Sequence, residues 1–471
     1  MIVFPYVRTP EPPAVALLDR AGEITDERGR RHKPDEVPAG VRVWTSYDTA
    51  RELVKAGQGE ALCWNGDEIR WRHGPQGDGA GEWKNRPGDV SVIKLPFPDD
   101  TGQGLDALAT WRDWLRTYGA APTGTTGSAS MSLLRATLEQ PLFCTMGDGP
   151  PLKQTMGGRL EMGPAGPGSF TGQIEQWDMP AAYAAELGAV HYGGRWWNTR
   201  DLQVSHGPEW WARGRRPTFV HARVRVPDGG PGPLIRRPRK RTTMLRQHLE
   251  AMTVPRYPAG TITGLWTWQE LEAAERHGAR ILEVLDVYAH LGGRPLLEPW
   301  WAAVQDGRKA RGLAGALAKM TGNALWGRFC MDVRVQGDRT IRRRPKGKRR
   351  LESSHAPVRG GGPLPAHDLA ETVSGRVRAR LYEAIVAAGD NLLSAHTDGL
   401  WLRHSPAAVE LERNGWRQKA AARRLDVIDP QTLRYWPRRR AEAEYVMAGR
   451  TPTEAPAAFE ALWRKGGFDD E

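Results

Sequence analysis

Three short segments of the sequence carry side chains whose types and spacing could perform chemistry together. The first, Ile-Glu-Gln-Trp-Asp-Met-Pro, places Asp178 where a strand pattern passes into a helix pattern. The second places Lys319, Asn323 and Trp326 on one face of a predicted helix, because residues at i, i+4 and i+7 lie in line. The third, Ala-His-Thr-Asp-Gly, places Asp398 in the turn of a predicted hairpin. Acids can hold divalent metal ions and a lysine can neutralise a phosphate, so the segments indicate phosphate chemistry.

Each segment alone has an ordinary structural explanation. An aspartate at a strand–helix junction is commonly an N-cap, and an aspartate before a glycine is commonly a turn residue. A lysine on a helix is usually a solvated charge. The occurrence of all three segments in one order favours a shared chemical role instead.

In this order the segments resemble motifs A, B and C of the family B DNA polymerases, with most similarity to the protein-primed branch of phages, adenoviruses and linear plasmids. Motif A of that family reads D-x-x-S-L-Y-P, and Asp178 and Tyr183 match it while alanines stand at three other positions. Motif B reads K-x-x-x-N-S-x-Y-G-K-F and is the most specific resemblance. Its matching residues are Lys319, Asn323, Gly327, Arg328 and Phe329, with Trp326 in place of the tyrosine.

Motif C of the family reads Y-x-D-T-D-S and is only partly matched. Thr397 and Asp398 agree with it, whereas Ser394, His396 and Gly399 replace the tyrosine, the first aspartate and the serine.

Two further segments resemble the same family. Thr155, Gly157, Gly158 and Arg159 are similar to the Y-x-G-G segment before motif A, which in that family contacts the template strand. After motif C, Arg434 and Tyr435 weakly resemble its K-x-Y segment, so that the resemblance covers about residues 126–440.

The resemblance implies a role for each matching residue. Asp178 and Asp398 are the expected catalytic acids, and with the main-chain carbonyl of Met179 they would hold two Mg²⁺ ions. Tyr183 would exclude a ribose 2′-hydroxyl, which makes deoxynucleoside triphosphates (dNTPs) the expected substrates. The other residues expected to bind the nucleotide are Arg308, Lys309, Lys319, Asn323 and Trp326. Those expected to contact DNA are Thr155, Gly157, Gly158, Arg159, Gly327, Arg328, His396, Thr397, Arg434 and Tyr435.

Two departures from the family change the expected activity. His396 replaces an acid, and because a neutral imidazole is a poor ligand for Mg²⁺, Mn²⁺ is the alternative metal. Residues 1–125 lack the D-x-E sequence with which proofreading relatives begin, since Asp19 and Glu23 are four residues apart. The sequence therefore predicts polymerase activity without 3′→5′ proofreading.

Charge and composition also favour a nucleic-acid partner. The chain has 67 Lys and Arg against 55 Asp and Glu, a formal net charge of +12, with basic runs at 236–241, 342–350 and 438–440 and 20 tryptophans. Cations and aromatic rings suit contacts with the phosphates and bases of DNA. No amphipathic basic helix accompanies the basic runs, which argues against a membrane surface as partner.

The remaining composition excludes several classes of protein. Three widely spaced cysteines in 471 residues fit neither a disulfide scaffold nor a paired-cysteine zinc site. The sequence contains no apolar run of about 18 residues and no signal-peptide pattern at its start. We therefore expect a cytoplasmic protein. The resemblance to the protein-primed polymerases further implies a monomer, located in the host cytoplasm if it is phage-encoded, with DNA, dNTPs and a terminal protein as partners.

The predicted fold is α+β: a right-hand polymerase with an antiparallel-sheet palm, helical fingers and a small thumb, plus a small mixed α/β N-terminal domain. Residues 1–125 are predicted to form a shortened, inactive exonuclease-like domain, and residues 126–471 the polymerase core. The predicted parts of the core are the palm (150–195 and 370–410), a basic insertion (196–260), the fingers (265–330), a second basic insertion (333–368) and the thumb (411–471).

Other functions stay open on the sequence. A primer-independent primase-polymerase is compatible with the long basic segment 333–350 and the missing exonuclease motif. A catalytically inert, polymerase-like DNA-binding protein is compatible with the substitutions in motif C. A reverse transcriptase is less compatible, because the fingers of that family lack the pattern of Lys319–Phe329.

Overall fold

The computed structural model places the chain in two compact units, which are described separately. One consists of residues 2–142 and 296–327, and the other of residues 143–295 and 328–471. The residues described are 2–3, 15–18, 23–32, 37, 42–46, 59–61, 68–71, 90–95, 101–120, 126–139, 142–143, 149–152, 155–198, 216–229, 231–235, 257–330, 339–343, 349–353, 366–447 and 455–465.

The first unit contains a seven-stranded mixed sheet. Its strands are β2 (Val15–Leu18), β3 (Ile24–Asp26), β4 (Arg31–His32), β5 (Arg42–Ser46), β6 (Gly59–Ala61), β7 (Glu68–Trp71) and β8 (Val90–Leu95), in the order β4-β3-β2-β5-β8-β7-β6. Strands β2, β5 and β8 are parallel, and the other pairs are antiparallel. Short strands also occur at Ile2–Val3 (β1) and Leu142–Phe143 (β9).

Helices of the first unit come from both ends of its sequence. They are α1 (Thr101–Thr117), α2 (Thr126–Thr137), α5 (Glu298–Gly307) and most of α6 (Gly312–Cys330). Leu108, Trp111 and Leu115 of α1 are buried, as are Leu18 and Trp44 in the sheet. This spacing of apolar residues at i, i+3 and i+7 is typical of a helix that covers a core.

The second unit is built on a seven-stranded antiparallel sheet. Its strands are β10 (Arg159–Met162), β11 (Gly168–Asp178), β18 (Leu392–Thr397), β19 (Gly399–Arg403), β20 (Arg417–Asp429), β21 (Thr432–Pro437) and β22 (Glu444–Met447). The order is β10-β18-β19-β11-β20-β21-β22. The helices of this sheet are α3 (Ala182–Ala189), α7 (His367–Ala388), α8 (Ala407–Arg413) and α9 (Ala455–Lys465). A 3₁₀ turn at Gly389–Asn391 leads from α7 into β18.

The two faces of this sheet have separate cores. Leu381 and Ile385 of α7 pack with Trp177 and Leu400 on one face. On the other face, Ile174 of β11 packs with residues of β19, β20 and β21. Because side chains alternate along a strand, Asp178 points to the same face as Ile174, away from α7.

A smaller antiparallel sheet also belongs to the second unit. It contains β12 (Arg195–Asn198), β13 (Thr218–Val226), β14 (Gly260–Thr267) and β15 (Arg280–Leu291), in the order β12-β15-β13-β14, with α4 (Trp268–Arg276) between β14 and β15. Strands β16 (Arg339–Arg343) and β17 (Arg349–Ser353) form a separate hairpin. In the described part of the chain, no helix combines the length and the apolar character that a membrane span requires.

Two predicted boundaries differ from the structure. Residues 280–291, predicted to belong to helical fingers, form strand β15, which pairs with β13 along most of its length. Residues 417–447, predicted to belong to a thumb, extend the sheet that carries Asp178, because β20 pairs with β11 from end to end. The basic run at 236–241 lies outside the described residues, and only backbone strands are described in the run at 342–350.

A buried aromatic cluster joins the smaller sheet to the start of α7. The ring of His290 stacks on Tyr192, with centroids 4.8 Å apart, and meets the edge of Trp196 at 5.0 Å. The Tyr192 hydroxyl and the Trp196 indole N–H donate to Asp368 at 2.8 and 3.0 Å. Burial, assisted by the charge of Arg216, lowers the pKa of His290 from 6.5 to about 4. His290 is therefore neutral in the folded protein at neutral pH.

This cluster predicts a loss of stability in acid. Between pH 6.5 and 4 the unfolded chain binds a proton at His290 that the folded chain does not, so stability falls as the pH falls through this window. The loss from this group is about 3 kcal/mol. Urea unfolding at pH 7 and pH 4 should show a smaller acid-induced loss for His290→Phe, which keeps an aromatic ring, than for the wild type. Equal losses in the two proteins would contradict this prediction.

Candidate active site

Strand pairing brings Asp178 and Asp398 together from positions 220 residues apart in the sequence. Asp178 is the last residue of β11 and lies opposite Gly399, the first residue of β19. Asp398 immediately precedes that glycine, and its carbonyl accepts a 2.8 Å hydrogen bond from the Met179 N–H. A Cβ atom on Gly399 would lie only 3.3 Å from Asp178 Oδ1, so the Asp178 carboxylate extends over the glycine. The two acids thus occupy adjacent strand ends.

The hairpin between β18 and β19 holds Asp398 at its tip. His396 pairs with Gly399, and the turn residues are Thr397 and Asp398, as the sequence predicts. Thr397 has a φ of +50°, which is unusual and strained for a β-branched residue. Its hydroxyl donates to Asp398 Oδ1 at 2.8 Å. Thr397 therefore fixes the orientation of one acid.

Gly158 and Tyr183 meet this hairpin from two other segments. Arg159 pairs with Thr397 as β10 runs beside β18. A Cβ atom on Gly158 would lie 2.6 Å from the Tyr183 hydroxyl and 2.9 Å from Thr397 Cα, so only glycine fits. Burial, and then the charge of Asp398, raises the pKa of Tyr183, which keeps its hydroxyl protonated. The segments that contain Gly158, Asp178 and Asp398 are therefore adjacent in this unit.

A buried arginine, which sequence reasoning missed, supports the Thr155–Gly158 segment. Arg378 of α7 is 1% exposed and forms ion pairs with Glu270 at 2.7 Å and Glu371 at 2.6 Å. It also donates to the carbonyls of Met156 and Gly157, both at 3.2 Å. Although burial disfavours the charge, the two glutamates raise the pKa of Arg378, so it stays charged.

The glutamates of this network are themselves anchored. Glu371 accepts from the Met156 N–H at 2.6 Å. Glu270 forms a capping box with Thr267 at the start of α4. The one signal in the sequence was the presence of Glu371 and Arg378, seven residues apart, on the apolar face of a predicted helix.

Four residues predicted to contact DNA have polar groups engaged inside the protein, and Arg159 and Thr155 are the first two. Arg159 is fully buried, pairs with Glu161 at 2.5 Å and lies over the ring of Tyr257. This differs from the predicted DNA contact, because the guanidinium already has a carboxylate and a ring as partners. Thr155 Oγ1 lies 3.1 Å from His367 Nδ1.

Arg434 and Tyr435, which were also predicted to contact DNA, likewise have partners within the protein. The Arg434 side chain is 5% exposed and pairs with Asp426 and Glu460, which attaches α9 to the sheet. Tyr435 donates to Glu444, and burial together with this bond raises its pKa. Both side chains stabilise the sheet in the structure.

The predicted nucleotide-binding residues other than Tyr183 lie in the other unit. Lys319 and Asn323 are exposed on one side of α6, with Trp326 half-buried on the same helix. Gly327, where that unit ends, and Arg328 are also half-buried. Arg308, after α5, lies 6.0 Å from the ring centre of Trp301, and Lys309 pairs with Asp306 at 3.1 Å.

The donors at the strand ends suit a hard cation. Asp178, Asp398 and the Met179 carbonyl offer only oxygen atoms, and Mg²⁺ takes few carboxylates when substrate phosphates complete its shell. The Met179 carbonyl accepts a 3.3 Å bond from the Ala182 N–H, which leaves one lone pair. Among the described residues, no group of three or more His, Cys, Asp and Glu side chains is arranged to hold a metal. Burial lowers the pKa of His396.

Comparisons with known proteins identify a shared fold. Neither the known family models nor the curated protein sequences contain a match. Among solved structures, phi29 DNA polymerase complexed with primer-template DNA and incoming nucleotides is similar, with a TM-score of 0.60 at 13% identity, over 95% of this chain and 94% of that chain. The orthorhombic crystal form of the phi29 polymerase has a TM-score of 0.57 at 11% identity, over 97% and 95% of the chains. The chain therefore has the fold of a phi29-type DNA polymerase along nearly its whole length.

The Arg378 network predicts that Arg378→Lys damages both stability and the site. A lysine cannot reach two glutamates and two carbonyls at once, and breaking a buried pair costs about 3–5 kcal/mol. Thermal unfolding should show a fall in Tm of several degrees or more, about 2–4 °C for each kcal/mol in a domain of this size. The matched control is Arg380→Lys on the same helix, whose side chain is 39% exposed and 3.7 Å from Glu186. Similar Tm values for the two variants would contradict the role given to Arg378.

Proposed function

We propose that this protein is a template-directed DNA polymerase that adds dNTPs to a primer terminus by two-metal nucleotidyl transfer. The adjacency of Asp178 and Asp398 is the main support for the proposal, because two acids from distant segments meet at the ends of the neighbouring strands β11 and β19. The fold shared with the phi29 DNA polymerase supports it, since two of those structures contain primer-template DNA.

The chemistry follows from the residues at the strand ends. Asp178, Asp398 and the Met179 carbonyl would hold two Mg²⁺ ions, which activate the primer 3′-hydroxyl and stabilise the leaving pyrophosphate when bound. Thr397 orients the Asp398 carboxylate through its hydroxyl. The Tyr183 ring, fixed against Gly158, would exclude a ribose 2′-hydroxyl and so select deoxynucleotides.

The other predicted residues complete the substrate contacts. Lys319, with Arg308 and Lys309, would neutralise the triphosphate, while Asn323 and Trp326 would pack on the new base pair. Gly157, Gly158, Gly327, Arg328, His396 and Thr397 would line the path of primer and template. Mn²⁺ remains the alternative metal.

The wider assignment rests on the resemblance found in the sequence. A phage or mobile element is the proposed source of the replication activity, a terminal protein is a proposed further partner, and the working form is a monomer in the cytoplasm. The basic residues distributed along the chain, with a net charge of +12, would bind the phosphates of DNA.

The N-terminal sheet supports the absence of proofreading. One of its three parallel strands, β2, reads Val-Ala-Leu-Leu and carries no acid. Among the described acids nearby, Asp26 accepts hydrogen bonds from the backbone of its own loop and from His32, and Glu27 pairs with Arg112. The carboxylates of Asp26 and Glu27 are therefore engaged in structural contacts, while Asp19 lies outside the described residues.

Removal of either strand-end acid should abolish primer extension. Asp178→Asn and Asp398→Asn are expected to reduce kcat at least about 1,000-fold while primer-template affinity stays close to wild type, because only metal binding is lost. The control is Asp390→Asn, an exposed acid in the turn that precedes β18. Gel-based extension with Mg²⁺ or Mn²⁺ and DNA-binding titrations provide the two measurements.

The same assay without primer tests the competing function. Product on unprimed single-stranded template would favour a primase-polymerase. Full activity in Asp178→Asn would refute the proposed catalytic site.

A mismatched primer tests the second part of the proposal. The purified protein with Mg²⁺ should leave a 3′-mismatched primer intact, because residues 1–125 contain no D-x-E sequence and the described acids Asp26 and Glu27 have structural partners. Shortening of that primer, measured on a sequencing gel in the absence of dNTPs, would show that the N-terminal domain is an active exonuclease. The variant Asp178→Asn separates such shortening from pyrophosphorolysis at the polymerase site.

A further inference from the structure

The described contacts of α1 involve the helices that carry the proposed nucleotide-binding residues. Although about 200 residues separate them in sequence, α1 and most of α6 belong to one compact unit. The indole N–H of Trp111 donates to Thr321 Oγ1 at 3.1 Å. Trp111 is 1% exposed and Thr321 is fully buried. The Thr321 hydroxyl in turn donates to the Leu317 carbonyl at 2.9 Å, so both of its hydrogen-bonding roles are used.

The neighbouring helix α5 is attached in the same way. The Trp114 indole donates to the Ala303 carbonyl at 3.0 Å, and the Tyr118 hydroxyl donates to Asp306 at 3.1 Å. Helices α5 and α6 also pack closely, because a Cβ atom on Gly322 would lie 2.6 Å from a methyl group of Val304. Three aromatic residues of α1 and of the turn after it therefore hold both helices.

The attachment fixes which side of α6 faces solvent. Thr321 is two residues from both Lys319 and Asn323, a rotation of about 200° around the helix in either direction. With Thr321 held against Trp111, Lys319 and Asn323 are exposed on the opposite side. The hydrogen bond thus determines the direction in which the two polar side chains point.

We infer that Trp111 is a positioning residue for the incoming nucleotide. In this role the N-terminal domain supports α6, the helix that carries Lys319 and Asn323. This inference rests on the proposed polymerase function. Trp111 itself is buried against the sheet residue Trp44, with ring centroids 6.4 Å apart, so the chain of contacts runs from the sheet through Trp111 to α6. The domain thereby contributes to nucleotide binding through packing and hydrogen bonds.

The test compares Trp111→Phe with Trp266→Phe. Each change removes one buried indole N–H, because Trp266 donates to the Ile235 carbonyl at 2.9 Å, but Trp266 lies in the other unit, on β14. Single-nucleotide primer extension would give kcat and KM for the dNTP. We expect Trp111→Phe to raise KM about three- to tenfold, the loss that one hydrogen bond brings, with little change in kcat. Trp266→Phe should leave both constants unchanged.

A double-mutant cycle with Thr321→Val isolates the hydrogen bond. Trp111→Phe combined with Thr321→Val should raise KM no further than the single changes do, because each removes the same interaction. Hydrogen exchange of the α6 amides should be faster in Trp111→Phe and unchanged in Trp266→Phe. This second measurement does not depend on catalysis.

These measurements distinguish failure of the inference about Trp111 from failure of the proposed polymerase function. If the wild type extends primers and Trp111→Phe has an unchanged KM, the inference is overturned and the polymerase function stands. A fall in Tm and kcat alone in Trp111→Phe, without a change in KM, also overturns it, since that result indicates a structural role only. If the wild type extends no primer with either metal, the proposed function itself fails.

Discussion

The buried charge of Arg378 constrains the candidate site more than any contact within it. Removing a guanidinium from water is costly, and its attraction to carboxylates repays that cost only when the geometry is good and the remaining donors are bonded. Arg378 satisfies this condition with two glutamates and two main-chain carbonyls. Because those carbonyls belong to Met156 and Gly157, the network fixes the segment that ends at Gly158. An apolar replacement could fill the space but could not determine the position of that backbone.

From this anchor, the site is assembled by strand pairing. Gly158 leads into β10, β10 pairs with β18, and the β18–β19 hairpin then places Asp398 beside the end of β11. Strand β11 contains register shifts on its pairing with β20, between Thr171 and Ile174 and between Gln176 and Trp177. Such irregularities bend a strand and change the direction of the side chains at its end. The direction of Asp178 therefore depends on backbone pairing along the sheet as well as on its own side chain.

This dependence explains what the sequence could predict. The strand–helix junction at Asp178 and the hairpin around Asp398 are local patterns, and both are present in the structure. The membership of 417–447 in the same sheet was not predictable, because it depends on pairing with a strand some 250 residues earlier. Arg434 looked like a DNA contact for the same reason, since its partners Asp426 and Glu460 meet it only through the fold. Local chemistry was predictable, whereas the partners of buried charges were not.

The first unit shows that catalysis and packing place different requirements on a sequence. A nuclease site needs acids at particular positions, and strand β2, with the sequence Val-Ala-Leu-Leu, contains no acid. Packing has different requirements. Trp111, Leu115 and Trp44 are buried, and the Trp111 indole N–H has a hydrogen-bond acceptor in Thr321. Because α5 and α6 bury their inner sides in this unit, loss of the domain would expose Thr321, Leu317 and Val304 to water. The packing of α5 and α6 is therefore sufficient reason for this unit to keep its buried residues.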